Sequence, residues 1–142
     1  MTGEQTRAFF ERHITAWNGH DATALAGHYT DDAVIETPLL GTIHGRTAIE
    51  ASYRSVFDTW PDSTQTDEAL LVDGDRACRI GTATGTQSQE FMGLSGIGKP
   101  HKIQMVVIYQ LAGDRIAHEQ RFYDFTTLLA QSGVLKIKPA KA

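Results

Sequence analysis

The stretch RIAHEQRFYDFTTLLAQSG, Arg115–Gly133, sets His118, Gln120 and Asp124 at intervals of two among the apolar Ile116 and Phe122. Side chains two apart share one face of a strand, so this register mixes polar and apolar groups where a plain core face would be apolar throughout. A pocket wall has that mixture, and so does a solvated face that happens to carry two hydrophobic residues. In such a wall Gln120 could donate to a carbonyl oxygen and so stabilise an enolate, and His118 could orient a substrate or serve as an acid. Asp124 has two readings: a carboxylate facing a cavity, or the N-cap of a helix starting at Phe125 or Thr126. Strict alternation puts it on the face of His118. A bulge near Phe122 would exchange it for Tyr123.

Other chemically capable residues are scattered. His13 lies on the apolar face of a first helix, one turn before Trp17, either satisfied in the core or in a functional role. Arg79 alternates with Ala77, Gly81, Ala83 and Gly85, as an inward cation or an exposed strand charge. His44 and His101 fall near Gly or Pro, and no spacing links the six histidines into a metal site. Cys78 is the lone cysteine, which excludes an intrachain disulfide, suits a reducing cytoplasm and reads as a small buried hydrophobe.

These groups need a frame. Thr2 and Gln5 form a possible capping box, after which Phe9, Phe10, His13, Ile14 and Trp17 recur at helical spacing. Asp21 caps a second short helix carrying Leu25 and Tyr29 inward. AVIET (Ala33–Thr37) is a short strand stopped by Pro38, and PLLGTIHG reads as a loop. Thr47 and Glu50 suggest a second capping box for a helix whose stripe is Ile49, Tyr53, Val56, Phe57 and Trp60. From Thr64 onward the chain reads as long strands: TQTDEALLVDGD, RACRIGTATGTQS, HKIQMVVIYQL and RIAHEQRFYD. Asp73-Gly74 and Gly113-Asp114 turn two pairs into hairpins. The Gly-rich QEFMGLSGIGKP is a long connection placed to cover a pocket mouth. TTLLAQSG forms a last helix ending near Gly133, and residues 134–142, with Lys136, Lys138 and Lys141, read as a frayed, solvated tail.

Helices followed by a long antiparallel sheet make one α+β domain over residues 1–142, and a strongly bent sheet crossed by helices encloses a natural small-molecule cavity. A formal net charge of −4 gives no electrostatic case for nucleic acid, and no apolar run reaches membrane-spanning length. The N-terminal segment lacks the apolar core of a signal peptide.

The order AWNGHDATALAGHYTDDAVIETP, GRTAIEASYRSVFDTWPD, VDGDRACRIGTATGTQSQEFMGLSGIGKP and GDRIAHEQRFYDFTTLLAQSG resembles the SnoaL-like polyketide cyclases of the NTF2-like superfamily. The resemblance covers nearly the whole chain. It implies a cone-shaped barrel, a homodimer through the outer sheet face, and no metal or organic cofactor. It also implies acid/base chemistry by an Asp at the end of the last strand, matched by Asp124, in an aldol closure of a polyketide ester or a related isomerisation. His118 would assist. The expected lining for a hydrophobic carbonyl compound is Gln120, Phe122, His13, Trp17, Tyr29, Thr37, Tyr53, Phe57, Trp60 and Met105. The alternative is a binding module for a small apolar ligand, without catalysis. Two related enzyme groups fit less well. Thr37 stands where ketosteroid isomerases carry their base Asp, Glu36 points to the opposite face, and the isomerase's oxyanion-hole Tyr falls near His13. A limonene-type epoxide hydrolase would need a carboxylate at Gly81 beside Arg79.

Overall fold

A computed structural model describes residues 1–136. Helix α1 spans Gly3–Asn18, and its capping box forms as the sequence suggests: Gln5 N–H donates to Thr2 Oγ1 (3.1 Å) and Thr2 N–H to Gln5 Oε1 (2.8 Å). Its apolar stripe buries Phe9, Phe10, His13 and Trp17. Asp21 caps α2 (Ala22–Gly27) through a bond from Ala24 N–H. Strand β1 is longer than AVIET, running Tyr29–Thr37, so Tyr29 belongs to it rather than to the helix before.

The PLLGTIHG segment holds a strand the sequence reading passes over: β2, Gly41–His44, pairs antiparallel with β1. Four residues carry too little alternation to stand out, and only Ile43 turns inward. Helix α3 (Arg46–Thr59) starts without the Thr47–Glu50 box. Its N-cap is Gly45 at φ 86°, a left-handed conformation suited to glycine, and Glu50 pairs with Arg54 and Thr23 instead.

Strands β3 (Thr64–Asp73), β4 (Arg76–Thr86), β5 (Pro100–Ala112) and β6 (Arg115–Tyr123) follow, with α4 at Phe125–Gln131. Gly74 and Gly113, both at positive φ, make the two expected hairpin turns. The sheet order is β2-β1-β6-β5-β4-β3, antiparallel except where β1 lies parallel to β6. Helices α1–α3 cover one face of this curled sheet, giving a cone-shaped α+β domain whose core joins Phe10, Leu25, Tyr29, Ile35, Tyr109 and Ile116.

The connection after β4 folds back onto Trp60 and α4, and none of residues 87–99 lines the interior cavity. Leu94 is buried, Phe91 packs on Trp60 at 5.3 Å, and Gln87 Nε2 donates to Leu94 O. Gly96 seats this connection on the α4 C-terminus, where a Cβ would come 2.2 Å from Ser132 O. Val134 and Leu135 N–H groups both donate to Leu129 O, tying the first tail residues to α4. The rest of the expected tail, 137–142 with Lys138 and Lys141, lies outside the described residues. No helix among the described residues is long and apolar enough to cross a membrane.

Candidate active site

The facing of β6 decides what the cone encloses. Leu111 pairs with Ile116, but Gln110 pairs with His118, so Ala117 is an extra residue in the ladder. Beyond this irregularity the inward set is Glu119, Arg121 and Tyr123, opposite Tyr109, Val107 and Met105. His118, Gln120 and Phe122 share one face as strict alternation requires, but it is the outer face. His118 Nε2 lies 2.6 Å from Glu36 Oε2 on the neighbouring strand, both side chains partly exposed, and Phe122 is half exposed. None of the three reaches the cavity.

Asp124 follows the strand and takes the cap geometry. Its Oδ1 accepts from Thr127 N–H (3.1 Å) and its Oδ2 from Thr127 Oγ1 (2.6 Å). Those bonds hold its carboxyl below the usual range, the reverse of the raised value a buried base needs. Of the two readings of Asp124, the structure has the cap. We expect Asp124→Ala to lower the melting temperature modestly at neutral pH. Because the folded-state pKa is depressed, this contribution is present above the ordinary carboxylate range and lost as the pH falls through the folded value. Thermal melts of both forms at pH 7 and pH 3 check it: the gap should close in acid.

The cavity itself, about 100 Å³, opens between the helices and the concave sheet face. Of the expected lining residues, His13, Trp17, Thr37, Tyr53, Trp60 and Met105 are present, joined by Val56, Leu40, Ile103 and Leu128 as apolar wall. Tyr29 and Phe57 sit one layer behind: Tyr29 bonds to Glu119 and Tyr53, while Phe57 stacks on His20 at 4.5 Å.

The polar part of the wall is where the sequence reading stopped short. Arg79, 5% exposed, is an inward cation, donating to Asp67 Oδ1 (2.8 Å) and Tyr109 Oη (3.2 Å). Two residues along β4, Gly81 lets β3 approach closely, since a Cβ there would come 2.6 Å from Thr66 O and 3.4 Å from Asp67 Oδ1. Glu119 and Arg121 form a buried ion pair at 2.5 Å. Tyr29 Oη gives its one proton to Glu119 Oε1 (2.8 Å), so at the 2.6 Å Tyr29–Tyr53 contact Tyr53 must be the donor. Arg121 in turn donates to Tyr53 Oη (3.1 Å), closing a ring of four side chains.

These bonds settle which groups are free. Both Glu119 oxygens already accept, from Tyr29 and from Arg121, and Tyr53's proton is committed. Burial, reinforced by the Glu119 charge, pushes the Tyr53 hydroxyl up to about 12, so it stays protonated. Tyr109 differs. Its oxygen accepts from Arg79, while its own O–H proton has no protein acceptor among the described residues. Burial raises its pKa too, with Arg79 opposing.

His13 is the remaining cavity base. Its Nδ1 lies 2.8 Å from His28 Nδ1. The ring lines the cavity, and Nε2 is its nitrogen without a protein partner among the described residues. Burial, then the charges of His28, Arg79 and Arg121, hold its pKa well below the usual histidine value, so the ring is neutral at pH 7. A neutral imidazole therefore stands beside Tyr109, ring centroids 6.3 Å apart. His101 also lines the cavity, and burial lowers its pKa as well. Among the described residues no three His, Cys, Asp or Glu side chains gather for a metal.

A curled six-stranded sheet closed by N-terminal helices around such a cavity defines the ketosteroid-isomerase-like, NTF2-like class of fold. Within it the chain belongs to the SnoaL-like domain family, which matches residues 10–119. IdmH from Streptomyces antibioticus, described as a candidate polyketide cyclase, is 28% identical, with TM-score 0.75 over 90% of this chain and 98% of that one. A candidate SnoaL-like polyketide cyclase from Jannaschia sp. CCS1 is 18% identical, with TM-score 0.83 over 93% and 94%. A protein with a ketosteroid isomerase-like fold from Catenulispora acidiphila, solved with trimethylamine, is 22% identical, with TM-score 0.76 over 98% and 100%. No curated protein matches the chain.

Proposed function

We propose that the protein catalyses cofactor-free proton transfer on a hydrophobic carbonyl compound held in the cone, with His13 as base and Tyr109 as carbonyl donor. The observation that carries this reading is the pairing of a neutral imidazole with a phenol whose proton is uncommitted, on one apolar cavity. The Nε2 lone pair removes the proton α to the carbonyl. Tyr109, with the Arg79 guanidinium behind its oxygen, donates to the developing enolate. Return of the proton elsewhere gives isomerisation; attack of the enolate on a second carbonyl gives the aldol closure of a polyketide ester. The SnoaL-like membership and the polyketide-cyclase neighbours support this substrate class.

The test follows the α-protons of small hydrophobic ketones, cyclohexanone and 2-tetralone, by proton NMR in D2O. Exchange above the buffer rate supports the enzyme. Saturable binding without exchange identifies the chain as a binding module instead.

The uncovered sheet face supports a homodimer. Leu71, Cys78 and Ile108 run together there, beside Ile80, Val106 and Phe122, and no helix among the described residues covers them. A face this apolar suits burial against its own copy about a two-fold axis. Val106→Lys should convert a dimer into a monomer in light scattering; a wild-type monomer at micromolar concentration would rule the dimer out. The partly buried, unpaired Cys78 thiol accords with a reducing cytoplasm.

A further inference from the structure

A contact between two histidine rings joins the cavity to the outer surface. His13 lines the interior cavity, and His28, at the end of α2, lines a separate groove on the outer surface with Glu11, Arg12 and Thr15. Their Nδ1 atoms meet at 2.8 Å. At that distance one nitrogen carries the proton and the other accepts it, since two lone pairs or two N–H groups would repel. The pair has two neutral arrangements. In one, His13 Nδ1–H donates, and the Nε2 lone pair faces the cavity while His28 Nε2–H faces the groove. In the other every role is reversed.

We propose that His13 and His28 form a proton relay through the wall of the cone. This rests on His13 being the cavity base. A proton taken from substrate carbon binds His13 Nε2. The Nδ1 proton passes to His28 Nδ1, and the His28 Nε2 proton leaves to water in the groove, so one proton crosses the wall and both rings end neutral. The reverse sequence delivers a proton to the cavity.

The surroundings favour neutral carriers over a stored cation. Arg79 and Arg121 face His13 from the sheet and Arg12 acts on His28 from α1, while Phe9, Phe10, Tyr29 and Tyr109 pack on the His13 ring. Phe9 also packs on His28 at 5.2 Å, fixing both rings in register. Burial above all makes an imidazolium unfavourable at His13, and His28, Arg79 and Arg121 add to it although Asp67 and Glu119 pair the two guanidinium groups, so an arriving proton moves on. The partner is specific in chemistry: a group that only hydrogen-bonds would hold His13 in place but could not pass the proton.

Nitrogen NMR of the ¹⁵N-histidine-labelled full chain, without any substrate, reads the relay directly. Both rings should be neutral at pH 7, with each nitrogen averaged between protonated and bare values. A single fixed tautomer overturns the relay and leaves the His13 reading standing. His28→Gln keeps a hydrogen-bonding partner for His13 but cannot relay; it should slow α-proton exchange of 2-tetralone by roughly tenfold or more. In His28→Ala, added imidazole should restore part of the rate. Undiminished exchange in His28→Gln overturns the relay. If the wild type exchanges no ketone, the function reading fails and the tautomer spectra alone decide the relay.

Discussion

Replacing Arg121 by leucine should destabilise the fold by about 3–5 kcal/mol, the usual cost of stripping one partner from a buried ion pair. Glu119 is 1% exposed and, among the described residues, has only Arg121 and Tyr29 as partners. Without the guanidinium its carboxylate must stay charged in an apolar wall or take up a proton, and both oppose folding. The loss spreads, because Arg121 also donates to Tyr53 and its guanidinium carbon lies 5.4 Å from the Tyr53 ring centroid. For a domain of this size the melting temperature should fall by on the order of 10 °C. Urea unfolding checks the value, and the paired variant Arg121→Leu/Glu119→Gln should recover much of it. Equal stability of Arg121→Leu and wild type would mean that the pair contributes nothing.

Tyr109→Phe should reduce α-proton exchange by about 10²–10³-fold, the range for removing one donor to a developing oxyanion. The substitution keeps the ring, which packs 4.5 Å from Phe10, and removes a cavity hydroxyl whose proton has no protein acceptor among the described residues. It also leaves Arg79 with Asp67 as its hydrogen-bond partner, so some loss of stability accompanies the loss of rate. Tyr53→Phe separates the two effects. Tyr53's proton is held by Tyr29, so its removal should disturb stability more than chemistry. Ketone binding by both variants should remain close to wild type if the donor acts on the enolate rather than on the ground state.

Most of the frame is legible in the sequence. The α1 capping box, the α3 stripe and both glycine turns follow from local chemistry that tertiary structure does not override. The facing of β6 does not. AHEQRF has polar residues in both registers, so no hydrophobic pattern pins one face inward, and one extra residue at Ala117 brings in Glu119, Arg121 and Tyr123. The signal that was available is Glu119 and Arg121 standing two apart, a charge pair matched for one face. Arg79 among small residues is a candidate in the sequence, but its inward direction goes with partners on two other strands, Asp67 and Tyr109. His13 was legible as a polar group on an apolar helix face; its contact with His28 depends on how α1 and α2 pack, which no local pattern encodes.

The central claim is that chemistry lies inside the cone at His13 and not at the strand end at Asp124. It is tested most directly by comparing His13→Asn with Asp124→Asn for α-proton exchange of 2-tetralone in D2O. His13→Asn removes the lone pair that meets the cavity and should lower the rate by about 10²–10⁴-fold. Wild-type exchange should persist below the ordinary histidine pH range, because the depressed His13 pKa keeps the base unprotonated there. Asp124→Asn keeps a capping side chain and should retain the wild-type rate. Full exchange in His13→Asn together with loss in Asp124→Asn would contradict the account.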